Sequence, residues 1–160
     1  MHSRIFEITY PETFDVEGFQ LTPSSLFDEM GKYGIDYVTD ETNREKDIQW
    51  LFDSLKDKPY IETGKDDKDY YIELKKGARK ELAKEIWEEL NKLYAEYSKD
   101  IDTDFEYSSE GLFLHRMKQA ISDDFSFKYW DGCILNTFQS LVSDNKPGRF
   151  YIGNTLDYHY

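Results

Sequence analysis

The segment "PYIETGKDDKDYYIELKKGARKELAKEIWEELNKLYAEYS", residues 59–98, decides the fold class. Its first part has two runs of aromatic and β-branched residues around a polar turn containing Gly64, which is typical of a β-hairpin. Over about residues 78–98 the apolar residues recur at helical spacing, and Trp87 and Tyr94 widen the stripe that we expect to be buried. That stripe consists of Leu82, Ile86, Leu90, Leu93 and Tyr97. A hairpin followed directly by a long helix indicates an α+β protein rather than regular alternation of parallel strands and helices.

The rest of the chain adds strands and shorter helices on both sides of this segment. The predicted strands are Arg4–Tyr10, Phe125–Trp130 and Arg149–Gly153. The predicted helices lie within residues 21–34, from a cap at Thr42 or Asn43 to Leu55, at about Ser109–Ile121, and within Ile134–Val142. We therefore predict one α+β domain over residues 1–160, with a mostly antiparallel sheet packed by one long helix and several shorter helices.

Composition favours a folded protein in a reducing compartment. Aromatic residues make up 17% of the 160 residues, and each buries more surface than an aliphatic side chain. Cys133 is the only cysteine, so a disulfide within the chain and a cysteine zinc site are both excluded. The opening "MHSRIFEITYPETF" lacks the apolar core of a signal peptide, and no run approaches the roughly 18 apolar residues of a membrane helix. We expect a cytoplasmic protein without a cofactor and without membrane contact.

The net charge of −13 is concentrated in two blocks. Residues 1–47 contain eleven acids and four bases, and residues 81–110 contain ten acids and three bases. The intervening residues 48–80 contain seven acids and eight bases. Direct nucleic-acid binding is disfavoured, because contacts with phosphates need lysine and arginine.

The acidic motif "DIDTDFE", residues 100–106, follows the long helix. If this segment is extended, Asp100, Asp102, Asp104 and Glu106 project from one face at intervals of about 6.6 Å, on the scale of successive phosphates in a nucleic-acid strand. Solvation or protection of a sheet edge also explains such acids. As an EF-hand loop, the motif has Phe105 and Gly111 where glycine and glutamate are required, which leaves a weaker cation site as the open alternative.

Four glutamates of the long helix form the second part of the expected surface. Glu81, Glu85, Glu88 and Glu89 recur at spacings of three and four, with Lys84 interleaved. Like charges four residues apart disfavour the helix by a few tenths of a kcal/mol, about as much as opposite charges favour it. These glutamates are therefore either a binding surface or simply a solvated helix face.

Sequence motifs for catalysis are scarce. The three histidines include His2 and His159 near the chain ends, and we expect His115 to be a partly buried helix residue. Cys133 adjoins Ile134 and Leu135, which favours a small core residue over a nucleophile. There is no nucleophile elbow and no glycine-rich phosphate loop. We predict that the protein is not an enzyme; the enzymatic alternative is a metal-assisted hydrolase that uses Asp100 and Asp102.

A resemblance concerns the first third of the chain. "SRIF" at residues 3–6, together with "DYVTDETNREKDIQWL" at residues 36–51, resembles small acidic proteins of phages and mobile elements of Gram-positive gut bacteria. The resemblance implies an anti-defence role, in which a small acidic protein occupies the nucleic-acid groove of a restriction or CRISPR effector. It assigns no site residue.

These observations predict a non-catalytic protein-binding module. We expect it to mimic nucleic acid and to dock on the basic surface of a nucleic-acid-handling protein, as an inhibitor of the anti-restriction or anti-CRISPR kind. The many tyrosines suit a protein interface, which includes a homodimer. The alternative function is a homo-oligomeric structural or regulatory domain whose charge serves only solubility. The expected contact residues are Asp100, Asp102, Asp104, Glu106, Glu81, Glu85, Glu88 and Glu89.

Overall fold

The computed structural model describes residues 2–17, 19–31, 34–100, 113–118 and 127–159. The chain divides into two compact units, residues 1–78 with 125–160, and residues 79–124. A mostly antiparallel sheet with several helices confirms the predicted α+β class. The single-domain organisation over residues 1–160 stays a prediction.

The helices and strands alternate irregularly along the described chain. The strands are β1 (His2–Thr9), β2 (Tyr37–Thr39), β3 (Ile61–Lys65), β4 (Tyr70–Leu74), β5 (Phe127–Trp130), β6 (Leu135–Thr137) and β7 (Gly148–His159). The helices are α1 (Pro11–Glu17), α2 (Phe27–Met30) after a 3-10 turn (Pro23–Leu26), α3 (Arg44–Leu55), α4 (Ala78–Asp100), α5 (residues 113–118) and α6 (Phe138–Asp144).

The described strands form one sheet in the order β3-β4-β7-β1-β5-β6, and β2 also pairs with β7. Only β1 and β5 run parallel among these pairs. The register between β1 and β7 shifts between Phe6 and Ile8, so that Gly153 and Asn154 of β7 both lie opposite Glu7. The predicted hairpin is confirmed as β3 and β4, with Gly64 opposite Tyr71.

Apolar side chains cover both faces of the sheet around β1. Ile5 packs in a buried cluster on one face, with residues from the segment before β2 and from β5, β6 and β7. The other members of this cluster are Leu21, Leu26, Ile35, Trp130, Leu135, Leu156 and Tyr158. Neighbouring strand residues point to opposite faces, and Phe6 stacks on Trp50 of α3 at a ring-centroid distance of 6.3 Å. Helix α3 therefore packs on the face opposite this cluster.

Helix α3 agrees with its prediction at both ends. The Asn43 side chain accepts a hydrogen bond from the Lys46 backbone N–H at 3.1 Å, and the helix ends at Leu55. The apolar residues of this helix recur at spacings of three and four, which predicts one buried face. Of them Ile48, Leu51 and Leu55 are fully buried, whereas Phe52 is half-buried. Local capping and one apolar stripe are sufficient to define this helix.

Several other predicted elements have different bounds. The helix predicted from Ile134 begins at Phe138, because Leu135–Thr137 pairs with β5 as strand β6. The last strand continues to His159, where the predicted strand ended at Gly153. The sequence pattern did not predict β2 or α1. Pairing with the distant end of β7 defines β2, and a local pattern does not encode such pairing. Strand β6 pairs with the adjacent β5 in a tight hairpin, and the helical spacing of the apolar residues from Ile134 to Val142 concealed this pairing.

Candidate functional site

The four glutamates predicted as contact residues share one side of α4. Successive helix residues are rotated by about 100°, so Glu81, Glu85, Glu88 and Glu89 fall within an arc about 100° wide. Glu88 and Glu89 are exposed, and Glu81 and Glu85 are half-buried. We call these four residues the acidic arc of α4.

Two lysines lie close to the acidic arc. Lys84 Nζ is 3.7 Å from Glu88 Oε1, and Lys92 Nζ is 4.0 Å from Glu89 Oε2. All four side chains are at least half exposed, and such exposed pairs contribute about 0.2–1 kcal/mol. A partner with a higher density of positive charge can displace these lysines at little cost.

The first residue of the acidic motif, residues 100–106, does not have the extended conformation that the prediction assumed. Asp100 is the last residue of α4, so at this position the chain is helical and not extended. Helix α4 continues two residues beyond the predicted end at about Ser98. Asp102, Asp104 and Glu106 lie outside the described residues, as does the cation site considered there. The contact role of these four acids and the hydrolase alternative stay predictions.

Trp87 and Tyr94 are not part of the buried stripe of α4, contrary to the sequence prediction. Each is 65% exposed, whereas Leu82 and Leu93 are buried. The rotation of about 100° per residue places both rings roughly 110–130° away from the direction midway between Leu82 and Leu93. The signal in the sequence was the set of small and polar neighbours on that side, Ala83 and Asn91, which are also exposed.

The arginines of the sheet-containing unit are paired with carboxylates. Arg4 contacts Asp47 at 2.8 Å and Asp157 at 2.9 Å. Arg44 contacts Asp69 at 2.8 Å. Their positive charge therefore stabilises the fold and is not presented to phosphates. Asp47 itself is buried and also accepts a hydrogen bond from the Thr155 hydroxyl, so the acidic count of residues 1–47 overstates the charge at the surface.

Arg149 holds two carboxylates at the edge of the sheet formed by β3, β4 and β7. Its guanidinium donates to Asp66 and Glu73, both at 2.8 Å, and lies 3.8 Å from the ring centroid of Tyr71. The Tyr151 hydroxyl donates to the same Asp66 oxygen at 3.0 Å. These contacts fix the β3–β4 turn on β7.

Asp66 is expected to make stability depend on pH in the acid range. Partial burial raises the pKa of its carboxyl, but hydrogen bonds from the backbone N–H groups of Lys68 and Asp69, from Tyr151 and from Arg149 outweigh this effect. The net result is a pKa of about 2, below the ordinary value of 3.8. A lowered pKa in the folded state stabilises the protein above the unfolded-state pKa, and this contribution is lost as pH falls through 3.8 towards 2.

The measurement is the urea midpoint at several pH values from about 5 to about 2. We expect Asp66→Asn to lower the urea midpoint at about pH 5, and to make the fall of the midpoint below pH 4 less steep than in the unmodified chain. Asp67→Asn at the exposed neighbouring position is the control that removes the same charge. A decline as steep in Asp66→Asn as in the unmodified chain would contradict the role of Asp66.

A small open pocket beside β1 contains two carboxylates with structural partners. Its lining includes Glu7, Tyr10, Trp130 and Asp131. Glu7 is buried and accepts hydrogen bonds from the backbone N–H groups of Gln20 and Asn154, at 2.6 and 3.0 Å. Asp131 accepts from the backbone N–H groups of Cys133 and Ile134, both at 3.1 Å. Both carboxylates therefore stabilise the backbone around them.

Two residues considered for catalysis have surroundings that differ from the expectation. Cys133 is exposed and is not a core residue. His115 is also exposed. In the part of the chain that the structure describes, no three His, Cys, Asp or Glu side chains gather as metal ligands would.

Comparisons with known proteins leave the family open. No protein-family model, no curated protein and no solved structure matches the chain. Among the described helices, none has the length and apolar character needed to cross a membrane.

Proposed function

We propose that the protein is a non-catalytic binding module, whose acidic surface docks on a basic, nucleic-acid-binding surface of another protein and excludes nucleic acid from it. An inhibitor of the anti-restriction or anti-CRISPR kind would act in this way. The observation that carries the proposal is the placement of Glu81, Glu85, Glu88 and Glu89 on one arc of α4. Asp100, Asp102, Asp104 and Glu106 belong to the proposed surface as its continuation along the chain.

The spacing of these charges supports electrostatic competition with a nucleic acid. Residues four apart on a helix are separated by about 6 Å along its axis, as Glu81, Glu85 and Glu89 are. One strand of a duplex advances by about 3.4 Å per phosphate. The three glutamates therefore form a line with about half the charge per unit length of one nucleic-acid strand, and Glu88 adds a fourth charge beside this line. Complementary charge of this kind speeds association and makes it sensitive to salt.

The test is capture by the immobilised full-length chain. The probe is the heparin-retained protein fraction from a nuclease-treated lysate of the organism that encodes the chain. We expect the unmodified chain to retain nucleic-acid-binding proteins that added DNA displaces. In the triple variant Glu81→Lys, Glu85→Lys, Glu88→Lys, capture should fall at least about tenfold, because like charges then face each other across the interface.

The matched control is the triple variant Asp53→Lys, Asp57→Lys, Glu62→Lys. These three residues are exposed in the sheet-containing unit, and their reversal changes the net charge by the same amount. We expect it to keep most of the capture. Equal capture by the α4 variant and its control, or capture that DNA does not displace, would reject the proposal.

A homo-oligomer is the second candidate function. The observation that favours it is the exposure of large apolar side chains in the unit that contains α4, namely Trp87, Tyr94 and Leu114. Light scattering over a range of protein concentrations distinguishes this candidate. A stable dimer whose formation does not change with charge reversal would support it.

A further inference from the structure

Helix α4 presents two exposed aromatic rings on the flank opposite its acidic arc. Trp87 and Tyr94 are each 65% exposed and lie seven residues apart. By helix geometry they are separated by about 10 Å along the axis and by only about 20° around it. Ala83 and Asn91, each four residues from Trp87, lie on the same side and are exposed. We call Trp87 and Tyr94 the aromatic stripe of α4.

The aromatic stripe and the acidic arc lie on opposite flanks of α4, with their centres about 160° apart around the helix axis. Lys84 lies between them, with its ammonium group 3.7 Å from Glu88. In alanine scans of protein interfaces, truncation of tryptophan or tyrosine is among the changes that weaken binding most. One flank of the helix therefore offers negative charge, and the opposite flank offers flat rings, so a groove that holds the helix lengthwise can contact both.

We propose that α4 docks in a groove that binds single-stranded nucleic acid, an inference that rests on the proposed function. The acidic arc would lie along the basic track of the groove, and the aromatic stripe would lie on the contact sites that take bases. A single strand exposes charged phosphates together with the faces of its bases, and proteins that bind it combine cationic tracks with stacking contacts.

A duplex-binding surface fits the same helix less well. In a duplex the base faces are stacked inside, so a protein that binds its backbone needs positive charge but no sites for rings. Two exposed rings would then gain little from docking. Cationic side chains in a single-strand groove can also pack on the faces of Trp87 and Tyr94.

The experiment repeats the capture assay with the double variant Trp87→Ser, Tyr94→Ser. We expect capture from the heparin-retained fraction to fall at least about tenfold, since central aromatic contacts dominate such interfaces. Phe27→Ser is the matched control, because Phe27 is 80% exposed in the other unit. Circular dichroism should show the same helix content in all variants, because the replaced side chains are exposed.

Competition decides which nucleic acid the groove binds. An oligothymidylate of about 30 nucleotides should displace the captured protein at a concentration at least about tenfold lower than a duplex of equal length. Loss of capture on reversal of the acidic arc, together with unchanged capture by the aromatic variant or preferential displacement by duplex, would overturn this inference alone. Unchanged capture on reversal of the acidic arc would overturn the proposed function itself.

Light scattering on the same variants tests whether a second copy of the chain, and not another protein, contacts the aromatic stripe. A dimer that becomes a monomer in the aromatic variant, with capture unchanged, would assign the stripe to a second copy of the chain and overturn the inference. A monomer in every variant, with capture lost only in the α4 variants, supports it.

Discussion

Replacing Arg44 with alanine is expected to lower the free energy of unfolding by about 3 kcal/mol. The Arg44 guanidinium donates hydrogen bonds to the backbone carbonyls of Ile152 and Gly153, at 2.6 and 2.7 Å. It also donates to Asp69 at 2.8 Å. Alanine would leave two carbonyls of a buried strand and one carboxylate without this donor, and each unsatisfied buried acceptor costs about 1–3 kcal/mol.

The position of Arg44 in the sheet explains why one side chain has so large an effect. Along one edge of β7, residues up to Tyr151 pair with β4 and residues from Asp157 pair with β2. The carbonyls of Ile152 and Gly153 lie between these two pairings. Arg44 supplies there the donors that a neighbouring strand would supply elsewhere. Phe19 and Tyr70 flank the guanidinium, with ring centroids 5.1 and 5.6 Å from its carbon.

The measurement is urea unfolding followed by tryptophan fluorescence, with midpoints compared at constant slope. Arg44→Lys should lose about half as much stability as Arg44→Ala, because an ammonium group keeps the charge but lacks the planar fork of donors. Lys46→Ala, at an exposed position two residues along the same helix, should change stability by less than about 0.5 kcal/mol. Similar losses in Arg44→Ala and Lys46→Ala would show that water satisfies the two carbonyls.

Local signals in the sequence were sufficient for elements that carry their own boundaries. Helix α3 has its cap at Asn43 and its buried residues at the predicted spacing. The β3–β4 hairpin and α4 were predicted from alternation and from helical spacing within one continuous segment. Such elements depend on contacts close in sequence, which a pattern can express.

Elements defined by distant partners could not be predicted in this way. Strand β2 has three residues and depends on pairing with the end of β7, more than one hundred positions later. The extension of β7 to His159 depends on pairing with β1 and β2. The same limitation applies to charge: Arg149 reaches Asp66 and Glu73 across 83 and 76 positions, so a count along the chain could not show these ion pairs.

The candidate site shows the same division. The spacing of Glu81, Glu85, Glu88 and Glu89 predicted a shared helix face, and helix α4 spans all four residues. The exposure of Trp87 and Tyr94 was not predicted, because aromatic residues next to an apolar stripe usually extend it. Their surroundings in the folded chain, and not their residue types, make them candidates for partner contact.

Replacing Gly153 with alanine is the second change with a large expected effect. A Cβ atom at this position would lie 2.5 Å from Glu7 Oε2 and 2.6 Å from Phe19 Cδ1. Glu7 and Phe19 would have to move, and this movement of Glu7 would weaken the hydrogen bond that its carboxylate accepts from the Asn154 N–H. Overpacking costs about 1–3 kcal/mol and a lost buried hydrogen bond adds to it, so we expect a loss of about 3 kcal/mol. Gly148→Ala in the same strand, where nothing lies within 4 Å of the added atom, should change stability little.

A double-mutant cycle separates the contributions of Glu7 and Phe19 to the cost of a Cβ atom at Gly153. Glu7→Ala removes the nearer one but leaves the N–H groups of Gln20 and Asn154 without their acceptor, so it should itself be strongly destabilising. In the Glu7→Ala background, Gly153→Ala should cost only about 1 kcal/mol, which gives a coupling of about 2 kcal/mol between the two sites. The remaining cost would measure the displacement of Phe19. Additive effects in urea unfolding would show instead that Glu7 moves aside freely, so that the displacement of Phe19 accounts for the whole cost of the added Cβ atom.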